Sequence, residues 1–321
     1  MKLLITGGWG FLGGRLAQTL VSSSGHKVLL GSREEKRTPP QWLPEADTTQ
    51  IVWGSVDDLI RICRDVDVVL HLAAMNARDC TSSPDVAKEF NSIATEHLVT
   101  AAISAGVKRF IYLSTAHVYG TPLSGIITEE TPAAPISPYA NSKLGGESSV
   151  RLAHKNEDIE GVVVRLSNSY GPPAHDQANC WMLLVNDLCR QAVINNRMVL
   201  HSSGSQRRDF IPLVDACSAI NALVSLPTNR LGNGLFNLGG GWSPTVLEMT
   251  EFLGQRVRLL TGQRVDIVRE TEDSTKPSAS LDYQMNNLLE AGLQIGDTQS
   301  VNSEIDNLIR YCISCASESD E

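Results

Sequence analysis

Lys2-Leu3-Leu4-Ile5-Thr6-Gly7-Gly8-Trp9-Gly10-Phe11-Leu12-Gly13 opens the chain, and its reading decides the fold. Residues 2–6 form a short, mostly apolar run without strict alternation, the mark of a strand buried on both faces. The glycines follow at once, and a helical pattern runs from Gly10 to Ser22. Each glycine has a mechanical task. The turn after the strand needs Gly7, the backbone must come close to a pyrophosphate at Gly10, and the helix must pack on the strand at Gly13. The free N–H groups at the helix start then face phosphate. A glycine pattern alone is a weak signal; between a strand and a helix it reads as a dinucleotide site built from Gly7, Gly10, Phe11, Leu12 and Gly13.

Working outward, further strands are predicted at Lys27–Leu30, Gln50–Trp53, Val66–Leu70, Arg109–Ser114 and Gly161–Leu166, with helices at Val86–Ala105 and Pro138–Lys155 between them. Strand–helix alternation argues an α/β fold, a doubly wound parallel sheet of the Rossmann kind. Beyond Pro172 the rhythm changes. A helix over Cys180–Ile194 leads to short strands near Met198–Leu200, Asp209–Val214, Phe236–Leu238 and Val265–Val268, with helices from Asp215 and over Thr245–Thr261. The expected organisation is a dinucleotide-binding domain over 1–171, with elements returning near 209–226 and 235–240. A smaller, discontinuous substrate domain then occupies most of 172–321. Ser317–Glu321 is polar and expected to fray.

The formal net charge of −9 excludes a general nucleic-acid binder, which needs a basic surface. No apolar run approaches the roughly 20 residues that span a bilayer, so no membrane partner is expected. Met1-Lys2 leads straight into the first strand, leaving no room for a signal peptide, and a cytoplasmic protein is expected. Seven cysteines, an odd number, suit reduced thiols. Cys312 and Cys315 form a CxxC pair, which reads either as a redox or metal element or as two ordinary thiols at a helix end. No metal is expected.

The end of the second strand speaks to cofactor type. A site for NAD carries Asp or Glu there, about 20 residues after the glycines. Here the chain reads Leu30-Gly31-Ser32-Arg33-Glu34. Arg33 stands where a cation meets a 2′-phosphate, and Ser32 can donate to it, so NADP(H) is favoured over NAD(H). The competing reading is a solvated loop arginine with Glu34 and Glu35 beside it.

Tyr139 and Lys143 stand four apart at the start of a helix, on one face. A phenol titrates near 10, too high for work at neutral pH. A nearby ammonium favours the phenolate, so the pair can act as general acid and base at an alcohol or carbonyl.

Taken together, these motifs resemble the extended short-chain dehydrogenase/reductase family. Ser114-Thr115-Ala116-His117-Val118-Tyr119-Gly120, His71-Leu72-Ala73-Ala74, Asn91, Arg165–Pro172 and Gly204–Phe210 match it in order over nearly the whole chain. The branch resembled is that of nucleotide-sugar epimerases, dehydratases and 4-ketoreductases. The resemblance implies that Tyr139 is the acid/base at the sugar and that Lys143 holds the nicotinamide ribose and tunes Tyr139. Thr115 would hydrogen-bond the same sugar oxygen. Leu72, Ala73, Ala74 and Asn91 would line the cofactor. Asn168 and Asn179 would be substrate-side amides, and Arg208 would meet the phosphates of the nucleotide sugar. The family places Gly-Asp after the third strand to bind adenine; Gly54-Ser55-Val56 stands there instead, putting Ser55 and Val56 in that role.

Departures from the family pattern narrow the chemistry. Similar 4,6-dehydratases carry acidic residues just after the Thr115 position, where this chain has Ala116 and His117, so dehydration is disfavoured. His117 stands where related enzymes use a cysteine to move a proton at a sugar carbon; it can do that work or simply hydrogen-bond the sugar. His175 is near in sequence but not aligned with the second acid of those enzymes. The leading expectation is an NADPH-dependent 4-ketoreductase, with or without epimerisation, of a nucleotide-linked 4-keto-6-deoxy sugar. The alternative is a 4-epimerase with bound NAD, and a remote one is a silent dinucleotide-binding regulator. A homodimer is implied by the resemblance.

Overall fold

The computed structural model describes residues 1–35, 37–271, 279–296 and 298–319. The last two residues of the tail expected to fray lie outside them. In chain order, the first half contains β1 (Lys2–Thr6), α1 (Phe11–Ser24), β2 (Lys27–Ser32), β3 (Asp47–Gln50), α2 (Val56–Cys63) and β4 (Val68–His71). Then come α3 (Ala77–Ser82), α4 (Pro84–Lys88), a π-helical turn at Glu89–Ile93, α5 (Ala94–Ser104) and β5 (Arg109–Thr115). The second half holds β6 (Gly125–Ile127), α6 (Pro138–Lys155), β7 (Glu160–Leu166), β8 (Asn168–Tyr170), α7 (Leu184–Asn195) and β9 (Arg197–Leu200). It closes with β10 (Phe210–Pro212), α8 (Leu213–Ser225), β11 (Leu235–Leu238), α9 (Val246–Thr261), β12 (Asp266–Arg269), β13 (Leu281–Tyr283), α10 (Asn286–Glu290) and α11 (Thr298–Ser319).

Seven parallel strands form the central sheet in the order β11-β7-β5-β4-β1-β2-β3. The order reverses at β1, and the strands on either side run away in opposite directions. That is the switch point where a doubly wound sheet opens a crevice at its carboxyl edge. Apolar side chains of one face, among them Leu3, Ile5, Leu70 and Val164, pack with α1 and α8. Those of the other face, among them Leu4, Val69, Phe110 and Val163, pack with α2, α5 and α6. This two-sided burial is why the strands read as continuous apolar runs. A third core lies between α7, α9 and α11, around Leu188, Met198, Leu253 and Leu308.

Several expectations shift, among them the strand expected at Asp209–Val214, which stops at Pro212 because α8 begins at Leu213. The third strand was placed at Gln50–Trp53 but forms at Asp47–Gln50, because this edge strand is polar and pairs only with β2. The helix expected over Val86–Ala105 is interrupted by the π turn. The helix expected from Cys180 starts only at Leu184, leaving the preceding residues as a loop. All seven cysteines are free thiols; Cys315 is partly exposed and the other six are buried. Among the described residues no group of His, Cys, Asp or Glu is disposed to hold a metal, and no helix is long and apolar enough to cross a membrane.

Candidate active site

The cofactor end begins where β1 stops. Gly7 adopts φ +72, and a Cβ there would sit 2.7 Å from the Ala73 nitrogen. At Gly13 an added Cβ would lie 2.2 Å from the Gly7 carbonyl oxygen, so only glycine lets α1 lie against the turn. Gly10 caps α1 without a side-chain acceptor, which leaves the first N–H groups of the helix open to an anion. A cleft of about 780 Å³ runs past this turn, lined by Gly7, Ser32, Arg33, Ala73 and Ala74 among others. These backbone cradles fit the pyrophosphate of a dinucleotide. Phe11 and Leu12 begin α1, and Leu72 packs behind the cleft against the core.

Some expected cofactor residues serve differently. Ser55 caps α2, accepting from the Asp58 N–H at 3.2 Å, and Val56 is exposed; neither lines the cleft. Asn91 is buried behind the wall. Its Oδ1 accepts from Met75 N–H at 2.8 Å and its amide donates to Ser142 Oγ at 3.0 Å, tying the segment after β4 to α6. The π turn aims Asn91 there. His71 extends the same bracing. Thr95 donates its only proton to the Asn91 carbonyl, so His71 Nε2–H donates to Thr95 and Nδ1 accepts from Thr6. Burial pushes His71 down to about 3, so it stays neutral. Trp9, within the glycine turn, and Trp53, Phe90 and Arg37, which no sequence pattern marks, also line the cleft.

A second cavity of about 760 Å³ meets the cleft at Asn76, which lines both. It gathers Thr115 from the end of β5, His117, Tyr139 from the first turn of α6, Asn168 from β8, and Arg208 just before β10. Ser137 caps α6 by accepting from Ala140 N–H at 3.1 Å, and Pro138 occupies the first turn, so the helix start that carries Tyr139 is fixed. Asn168 donates to the Asp209 carbonyl at 2.9 Å, holding β8 to β10 beside Arg208. Asn179 is exposed and lines neither cavity. His175 stacks on Trp42 at 5.1 Å and contacts the Trp9 carbonyl at 3.0 Å, on the cofactor side. Residues not singled out from sequence, Arg78 and the loop at Met182–Leu184, complete the walls.

Burial governs the electrostatics. Tyr139 is pushed up to about 12 by desolvation, with the Thr115 hydrogen bond pulling the other way. Lys143 is 2% exposed and pushed down to about 7 by desolvation, against the raising influence of the Glu147 carboxylate. Its ammonium lies 4.2 Å from the centre of the Tyr112 ring. The expected lowering of Tyr139 by Lys143 is not found: burial, and after it the Cys80 charge, raise the phenol instead. His117 is pushed down by burial and by the Arg208 charge, which keeps it neutral near pH 7. Thr121 donates to the Gly120 carbonyl at 2.8 Å, so the 3.2 Å contact with His117 makes Nδ1 the protonated nitrogen. Nε2 keeps a lone pair and can accept a proton.

Residues 3–239 match the model of the NAD dependent epimerase/dehydratase family. A dTDP-glucose 4,6-dehydratase of Actinoplanes sp. is 29% identical over 313 residues, covering 88% of this chain and 92% of that protein. The solved NAD dependent NDP-hexosamine 5,6-dehydratase TunA is 26% identical, covers 98% of both chains and superposes with a TM-score of 0.77. UDP-glucuronic acid 4-epimerase from Bacillus cereus, solved with UDP-glucuronic acid and NAD, superposes at 0.80, with 23% identity over 98% of this chain and 100% of that one. These findings correct the cofactor expectation: the family is NAD dependent, and its solved neighbours hold NAD, not NADP. The physical reason lies at the end of β2. Arg33 and Glu34 are both exposed and both line the cleft, and the Glu34 carboxylate pairs with Arg37 at 3.1 Å; a carboxylate at this position suits ribose hydroxyls and disfavours a 2′-phosphate. Ser32 already accepts from Glu34 N–H at 3.1 Å. The relatives that the chain matches are nucleotide-sugar enzymes, and the chain belongs to the NAD dependent epimerase/dehydratase family.

Proposed function

We propose that this protein is a nucleotide-sugar 4-epimerase that keeps NAD bound through turnover. The observation that carries the reading is the meeting of Thr115 and Tyr139 in the wall of the second cavity, with Lys143 buried one helical turn beyond Tyr139 on α6 and with Ala116 and His117 where elimination needs acids. The 4-ketoreductase expectation rested on NADPH and loses its support with that cofactor.

The residues divide the work as follows. Thr115 holds the C4 oxygen, and Tyr139 takes its proton as C4 is oxidised and returns it when the ketone is reduced on the other face. Lys143 binds the nicotinamide ribose and lends positive charge beneath Tyr139. Bound NAD supplies the hydride acceptor and a cationic ring that favours the phenolate. Asn168 and Arg208 orient the substrate, Arg208 through a guanidinium fork on phosphate. Gly7, Gly10, Gly13, Ala73 and Ala74 hold the cofactor. The reading includes a homodimer, tested by sedimentation.

The test incubates the purified protein with UDP-, GDP- and dTDP-linked hexoses and follows the sugar by NMR and the cofactor by absorbance. Interconversion of C4 epimers without net NADH formation is expected. Tyr139→Phe should slow it roughly 100- to 10,000-fold while sugar-nucleotide binding survives. Loss of water from the sugar, or stoichiometric cofactor turnover, would overturn the reading.

A further inference from the structure

Among the described residues, those that wall the second cavity include two arginines and no Asp or Glu. In a chain of net charge −9 this is a local reversal of sign. Arg208 stands beside the β8–β10 pair, and burial pushes its guanidinium below its usual range, so it favours an anionic partner. Arg78 comes from a different wall. It sits on α3 between Asn76, at the junction with the cofactor cleft, and Cys80, whose thiol is close enough to Tyr139 and Lys143 to influence both charges. Its guanidinium has no ion pair or hydrogen bond among the described residues. His117 is held neutral and does not contribute a third cation.

A nucleoside diphosphate sugar carries its fixed charges on the pyrophosphate, and Arg208 is the fork assigned to them. A neutral hexose offers a second guanidinium in the same cavity only hydroxyl acceptors, which leave its charge unbalanced. We propose that the substrate is a nucleotide-linked hexuronate, whose carboxylate on C5, next to the reacting C4, pairs with Arg78. Planar guanidinium and carboxylate match in a bidentate pair, and the absence of a competing acid in the wall leaves Arg78 available. This inference rests on the 4-epimerase reading and names its substrate class.

The test compares matched pairs, glucuronate against glucose on UDP, GDP and dTDP, as the ratio of kcat/KM. The wild type should favour the uronate roughly ten- to hundredfold. Arg78→Gln should collapse the ratio toward one, and Arg78→Lys should restore part of it. A wild-type preference for the neutral sugar, or a ratio unchanged in Arg78→Gln, overturns the inference. The same pairs are titrated into Tyr139→Phe protein with and without Arg78→Gln, reading the ratio of Kd values. A uronate preference in binding that vanishes with Arg78→Gln, without interconversion by the wild type, keeps this inference and removes the epimerase reading. Interconversion of neutral sugars without uronate preference does the reverse. Failure to bind either sugar overturns both.

Discussion

Lys143 is an ammonium buried among groups that influence its charge. Glu147 faces it from its own helix, Cys80 from α3, Tyr112 from β5 and His71 from β4. Its folded value of about 7 lies below the ordinary 10.5, so between those values the unfolded chain holds a proton that the folded chain does not. Stability from this group therefore rises with pH across that window, and below about 7 the full cost of the buried charge is present. Lys143→Met should melt on the order of a few degrees above the wild type near pH 6, with the gap closing toward pH 10. Calorimetry across that range checks it, and a gap that widens with pH would contradict the sign. Tyr139→Phe and Arg78→Gln belong to the same scale, the first reading the chemistry and the second the substrate's charge.

At the scale of elements, caps and glycines decide where the site residues sit. Thr245 and Glu248 form a reciprocal capping box at the start of α9. Thr245→Ala should cost about 1 kcal/mol, seen as a lower denaturation midpoint at constant slope. The helix carrying Tyr139 and Lys143 was legible from sequence, its expected bounds Pro138–Lys155 matching α6, and the structure adds the Ser137 cap that fixes its start. The strands of the sheet centre were equally legible, because burial on both faces demands unbroken apolar runs. What was not legible has a physical reason in each case. Edge strand β3 is Asp47-Thr48-Thr49-Gln50, with no apolar run to announce it. The π turn leaves helical periodicity nearly intact while re-aiming Asn91. Arg78 and Met182 reach the sugar cavity from a short helix and a loop, whose paths depend on packing with distant elements. Arg33 misled because the glycine-to-strand spacing locates the residue without fixing which neighbour, Arg33 or Glu34, governs the ribose.

For the whole molecule, the sheet order places both cavities at the carboxyl edge, one on the cofactor turn and one under the α7 side, joined at Asn76. The third core around α7, α9 and α11 backs the sugar cavity, so the loop that walls it is anchored on packed helices. The distribution of thiols over these layers has a use. Cys217 lies in the core under α8, Cys63 under α2, and Cys189 and Cys312 in the third core, while Cys315 alone is partly exposed. A thiol reagent should thus modify one cysteine quickly and the buried six only as their surroundings open. Mass spectrometry of labelled peptides would time each layer separately, and uniform fast labelling of all seven would contradict the burial described above. Addition of NAD should slow labelling of Cys80, which lies behind the wall shared by the cleft and Tyr139, more than that of Cys189 or Cys312. The chain thereby carries its own set of clocks, one for each body of packing.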